Sequence, residues 1–205
     1  LFKQQEDWGS YAVAQNNLGL VYQAMANHGI APEENLALSL NAHTEAVQLL
    51  KEKRSVLNFE HVQMNLALVY RALALRGMAT DENLARSVEV LIEASVYSKR
   101  QNSPAGYAMV QNILGLVYQD MADRGIRTEE NLKRARKVLS ESAGLLKEQE
   151  YIAGYALAKN NLARTYILMA QYGMTPEENL SLSIEALTEA SRLFMEQANW
   201  AMYAM

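Results

Sequence analysis

The chain contains no cysteine, only three prolines and only ten glycines in 205 residues. Without cysteine there is no disulfide framework, no thiolate metal site and no cysteine nucleophile, a composition compatible with a reducing compartment. So few chain breakers leave little material for turns, which favours long helices over a many-stranded sheet. Charge of one sign is also lacking. Nineteen basic residues stand against 23 acidic ones, giving a net charge of -4 and no electrostatic pull toward DNA or RNA. No apolar run reaches the roughly 18–20 residues of a membrane helix, because Arg71, Arg76 and their counterparts interrupt every candidate. No charged-then-apolar leader opens the chain, and the first residue, Leu1, is read as an internal position of something longer. What the chain does have is hydrophobic content, 50% of its residues, enough for a sizeable core.

That content is periodic on a long scale. Leu18-Gly19-Leu20-Val21-Tyr22 returns as Leu66-Ala67-Leu68-Val69-Tyr70, Leu114-Gly115-Leu116-Val117-Tyr118 and Leu162-Ala163-Arg164-Thr165-Tyr166, each time after 48 residues. Glu34-Asn35-Leu36 recurs at the same offset as Glu82-Asn83-Leu84, Glu130-Asn131-Leu132 and Glu178-Asn179-Leu180. Between the two motifs every copy carries a glycine: Gly29, Gly77, Gly125 and Gly173. A fixed period of this size marks an array of equivalent units.

Each unit reads as two helices. Tyr11, Ala14, Leu18, Val21 and Met25 step by three and four along one helical face, with Gly19, Tyr22 and Ala26 in a second row beside it. The glycine ends this helix, because it takes the left-handed conformation without a Cβ clash. Pro32 or Pro176 followed by two glutamates suits the start of the next helix, with Thr80 and Thr128 as N-caps in the copies lacking proline. The second helix turns Leu36, Leu40, His43, Ala46 and Leu50 inward. The expected helices span residues 10–28, 32–53, 57–76, 80–100, 105–124, 128–149, 153–172 and 176–197.

The expected organisation is a single array: a partial helix at 1–7, repeats at about 8–55, 56–103, 104–151 and 152–199, and a partial helix at 200–205. Trp200 and Tyr203 fall in the columns of Trp8 and Tyr11, and Leu1 and Phe2 in those of Leu193 and Phe194. The chain therefore reads as a window on a longer array, with apolar helix faces bare at both ends and end-to-end self-association as the consequence.

Leucine, a small residue and tyrosine at Leu18-Gly19-x-x-Tyr22, with a small residue near Ala46 in the second helix, resembles the tetratricopeptide repeat. The resemblance runs over essentially the whole chain. It departs from that family in unit length, 48 residues against the usual 34, and in placing Gln15, Gln63, Gln111 and Lys159 where the family has an early tryptophan. Extended units with an Asn-Leu pair opening the second helix look like the arrays attached to CHAT-type caspase-like proteases and other bacterial signalling proteins. The resemblance implies an all-α solenoid of antiparallel helix pairs, a right-handed TPR-like superhelix whose first helices line a concave groove. It implies a cytoplasmic protein- or peptide-binding scaffold, or, as the alternative, a regulatory array controlling an attached catalytic domain.

No residue set points to catalysis, a cofactor or a metal. His43 occupies a column otherwise held by Leu91, Leu139 and Leu187, and so reads as a packed core histidine. Glu45, Glu93, Glu141 and Glu189 form an acidic column. Antiparallel pairing sets Glu45 level with Gln15, and Glu189 with Lys159, so hydrogen bonds between helices are expected. Asn35 and its three copies are expected to satisfy backbone groups of the preceding turn.

The remaining polar columns carry the candidate binding site. By the resemblance, Asn16, Met64, Asn112 and Asn160 face the groove, beside Asn17, Asn65 and Asn161. Around them lie Val13, His61, Met109 and Leu157, then Leu20, Leu68, Leu116 and Arg164, then Gln23, Arg71, Gln119 and Ile167. An amide donates and accepts at once, so it can pair with the backbone of an extended peptide, or alternatively join adjacent units. With only Arg71 and Arg164 in these columns, opposed by Asp120 and Asp123, the family's clamp for peptide carboxylates is not expected. Lys133, Arg134, Arg136 and Lys137 crowd the second helix of the third unit as a solvated face or a docking patch for an acidic partner.

Overall fold

A computed structural model describes residues 8–53 and 59–203. Among these residues there are eight helices and no strands: α1 (Trp8–Asn27), α2 (Pro32–Glu52), α3 (Phe59–Leu75), α4 (Thr80–Arg100), α5 (Pro104–Asp123), α6 (Thr128–Glu148), α7 (Ile152–Gln171) and α8 (Pro176–Tyr203). The expected partial helix at 1–7 and the first two residues of the helix expected at 57–76 lie outside the described residues. The expected break before a separate helix at 200–205 is not found, since α8 runs on to Tyr203. In the two preceding joints Asn102 and Glu150 take positive φ, 52° and 55°. Their counterpart, Ala198, is the best helix former, and no glycine or proline follows it.

The turn inside each unit is built the same way four times. Gly29, Gly77, Gly125 and Gly173 have φ of 75–80°. In the first copy the Gly29 amide donates to the Ala26 carbonyl and the Ile30 amide to the Met25 carbonyl, the paired bonds of a Schellman end. A Cβ at any of these glycines would meet nothing within 4 Å, so the need for glycine is conformational rather than spatial. Two residues later Ala31, Ala79, Arg127 and Thr175 are left-handed as well, at φ 36–41°. This second left-handed residue displaces the expected caps. Thr80 and Thr128 are the first residues of their helices, and each hydroxyl donates backward to a carbonyl of the preceding helix, Ala74 at 3.3 Å and Ala122 at 3.2 Å.

Within a unit the two helices approach closely. Ser39 Oγ donates to the Gly19 carbonyl at 2.8 Å and Ser87 Oγ to the Ala67 carbonyl at 2.9 Å, tying each second helix to the backbone of its first. Opposite Gly19 lies the His43 ring, where an added Cβ would stand 2.6 Å from Nε2; opposite Gly115 lies Leu139, at 2.4 Å. Between repeats α2 packs on α3, and α6 on α7. Leu36 shares a buried cluster with Val69 and Leu73, and Leu50 shares one with Val62 and Leu66. In the same way Leu132 clusters with Leu168 and Met169. Full burial of a leucine is worth about 1.5–3 kcal/mol, so these columns carry most of the cohesion. First helices also run beside one another, α1 against α3 and α5 against α7. The chain divides into two compact units, Leu1–Tyr97 and Ser98–Met205, each holding two helix pairs or nearly so.

Candidate functional site

Three columns identified in the sequence resolve into specific bonds. Gln15 Nε2 donates to Glu45 Oε2 at 2.7 Å, and Lys159 Nζ lies 2.9 Å from Glu189 Oε2, the two pairings expected from the antiparallel register. The asparagines at the start of each second helix, Asn35, Asn83, Asn131 and Asn179, each donate to the carbonyl of Ile30, Met78, Ile126 or Met174 at 2.5–2.7 Å. They close the turn that the glycine opens.

The sequence did not signal the tyrosine hydroxyls. Tyr11, Tyr107 and Tyr155 donate to Glu45, Glu141 and Glu189 at 2.6–2.9 Å. A lysine from the preceding second helix lies over two of these rings, Lys99 4.4 Å from the centre of Tyr107 and Lys147 5.6 Å from that of Tyr155. Partial burial and then the Glu189 bond push the Tyr155 hydroxyl up to about 12, while Lys159, with Tyr155, holds the Glu189 carboxyl below its usual range. The second unit breaks the pattern. Phe59 has no hydroxyl, Glu93 pairs instead with Lys51 at 2.7 Å, and the amide of Gln63 is fully buried with neither of its polar atoms bonded. The common factor, Tyr and Glu 34 residues apart in three copies, was present in the sequence, but a tyrosine inside an apolar stripe reads as apolar.

The expected groove residues divide by exposure. Met64, Asn112, Gln119 and Asn161 are buried. Gln119 Nε2 donates to the Asn161 carbonyl and to Thr165 Oγ1, both at 2.7 Å. Asn65 Nδ2 donates to Asn16 Oδ1 at 2.9 Å, and Asn161 Nδ2 to Asn112 Oδ1 at 3.0 Å, so these amides join adjacent first helices. Asn16, Gln23, Asn65 and Arg71 are half-buried, while Asn17, Asn160 and Arg164 are exposed. Arg164 spends its charge on Asp123 at 2.7 Å, with Asp120 4.0 Å away.

Where α5 and α7 run side by side, their shared face holds a cavity of about 250 Å³ lined by Met109, Asn112, Ile113, Leu146, Tyr151 and Leu157. Gly154 is required beside it, because a Cβ there would fall 2.6 Å from the Tyr151 ring. The lining is apolar apart from the Asn112 amide and the tyrosine hydroxyl. On the second-helix side, Lys133 and Arg134 are paired with Glu129 and Glu130 one turn earlier, leaving Arg136 and Lys137 as exposed charges on α6. His43 is fully buried with both ring nitrogens unpartnered, and its desolvation lowers its pKa to about 4. Among the described residues, no three of His, Asp and Glu converge to hold a metal ion, and no helix is long and apolar enough to cross a membrane.

Compared with family models and with curated proteins, the sequence matches none.

Proposed function

We propose that the chain is a protein- or peptide-binding scaffold of the tetratricopeptide type, working in the cytoplasm and using the face on which its first helices lie side by side. The observation that carries this reading is the apolar cavity between α5 and α7, at the meeting of Met109, Ile113 and Leu157. Leu157 is 47% exposed there and Leu20 is 40% exposed in the neighbouring groove column of the first unit, while Asn160 and Arg164 offer polar groups alongside. An apolar cleft with a few polar groups at its edge is the usual form of a site that takes a side chain of an extended partner.

Panning a random displayed peptide library on the 205-residue chain tests the reading. Enriched peptides are expected to share an apolar anchor and to bind Leu157→Asp at least about tenfold more weakly, a loss of ~1.4 kcal/mol. Lys137→Glu, on the exposed side of α6, is expected to leave their affinity unchanged. An absence of enriched peptides, or peptides indifferent to Leu157→Asp and Ile113→Glu, would remove this face from consideration.

A further inference from the structure

The acidic column of the second helices is capped differently from unit to unit. Gln15 Nε2 donates to Glu45 Oε2, Lys51 Nζ reaches Glu93 Oε2 and Lys159 Nζ reaches Glu189 Oε2, all at 2.7–2.9 Å. Glu141 is the exception. Its Oε1 accepts from the Tyr107 hydroxyl at 2.9 Å, and among the described residues nothing donates to its Oε2. A cation stands close by without closing on it. Lys99 Nζ lies 4.4 Å from the centre of the Tyr107 ring and forms no ion pair among the described residues. An ammonium and a carboxylate therefore share one tyrosine without meeting each other.

Both side chains line a cavity of about 240 Å³, where the end of α4 and the start of α5 come together over α6. That volume lies below the roughly 300–1,000 Å³ of pockets for drug-sized ligands, so an occupant is small. Asn102, left-handed at φ 52°, adds an amide to the lining, while Pro104 and Leu145 add apolar surface. Lys99 and Glu141 are exposed, so a ligand reaches both charges without rearrangement. The cavity shares no lining residue with the one between α5 and α7.

We propose that this cavity binds a free α-amino acid with a short apolar side chain, its carboxylate on Lys99, its ammonium on Glu141 Oε2 and its side chain against Pro104 and Leu145. A ligand with only one charge would leave the opposite protein group unanswered, so the split pair selects a zwitterion. Because both protein charges stay in contact with water, binding is weak, with a dissociation constant on the order of 1 mM.

Amide chemical shifts of the 15N-labelled 205-residue chain, titrated with L-valine, L-leucine, L-isoleucine or L-methionine, test this. At least one is expected to approach saturation by about 10 mM, with the largest shifts around Lys99, Asn102 and Glu141. The N-acetyl and the carboxamide forms of that amino acid each lack one charge and are expected to bind at least about tenfold more weakly. Lys99→Met and Glu141→Gln are expected to show the same loss. Glu141→Gln keeps an oxygen for the Tyr107 hydroxyl, so its helicity by circular dichroism is expected to be unchanged. Gln111→Lys, copying Lys159 of the fourth unit, supplies a resident ammonium and is expected to close the site to the ligand. Failure of all four amino acids to bind by about 10 mM overturns the proposal. So does equal binding of a blocked form, or affinity unchanged in Lys99→Met and Glu141→Gln.

Discussion

His43 sits where three other units place leucine, pressed against Gly19 with no hydrogen-bond partner for either nitrogen. Burial excludes its charged form, so the folded protein binds a proton only near pH 4, whereas the unfolded chain binds one near 6.5. Between those values the unfolded state holds more protons, and stability falls as the pH is lowered. At about 1.4 kcal/mol per tenfold difference in proton affinity, the loss approaches ~3 kcal/mol by pH 4. His43→Leu is expected to abolish this part of the acid sensitivity, measured as the shift in urea midpoint between pH 7 and pH 5. Gln63 presents a related defect at neutral pH. With Phe59 in place of the tyrosine and Glu93 turned to Lys51, its buried amide is unsatisfied. Gln63→Met keeps the volume and removes the polar atoms, and is expected to raise stability by about 1–2 kcal/mol in the same assay. A loss of stability would show that the amide is engaged after all.

At the level of the helix pair, the close approach at Gly19 and Gly115 decides how the two helices nest. Ala67 and Ala163 fill the same column with a methyl group, so a pair with alanine is possible in principle. Where Leu139 already occupies the space, however, Gly115→Ala forces the helices apart and is expected to cost about 1–3 kcal/mol, read from denaturant unfolding. Asn131→Ala leaves the Ile126 carbonyl without its side-chain donor and is expected to cost about 1–2 kcal/mol. Much at this level is legible in the sequence, because spacing and the turn residues place the turn glycines, the Asn35 column, the Gln15–Glu45 and Lys159–Glu189 pairings and the helix boundaries apart from the end of α8. The second left-handed residue was not, since Ala79 and Arg127 carry no signal for positive φ, and Thr80 was therefore read as a cap. The tyrosine hydroxyls are not legible there, because a tyrosine in an apolar stripe reads as a packing residue and its hydroxyl bond to a glutamate of the second helix goes unsignalled. The asparagine columns were recognised, but choosing between joining units and facing a partner required knowing which amides are buried. Asn112 and Asn161 are buried, whereas Asn17 and Asn160 are not.

For the molecule as a whole, cohesion is distributed along the chain rather than gathered in one core. Buried positions in α1 are three, Ala12, Gly19 and Ala26, whereas α5, of the same length, has thirteen. Local opening is governed by how many such contacts must be broken, so amide hydrogen exchange is expected to be much faster in α1 than in α5. Equal protection in the two helices would contradict an additive array. The unbroken offset of 48 residues has a last consequence for how this protein can be altered. Every unit ends and begins on the same thread, like identical fittings along a pipe, so removing residues 104–151 joins Ser103 to Ile152 with each remaining column still in step. A chain shortened in this way loses one repeat and keeps the helix-pair plan of the rest.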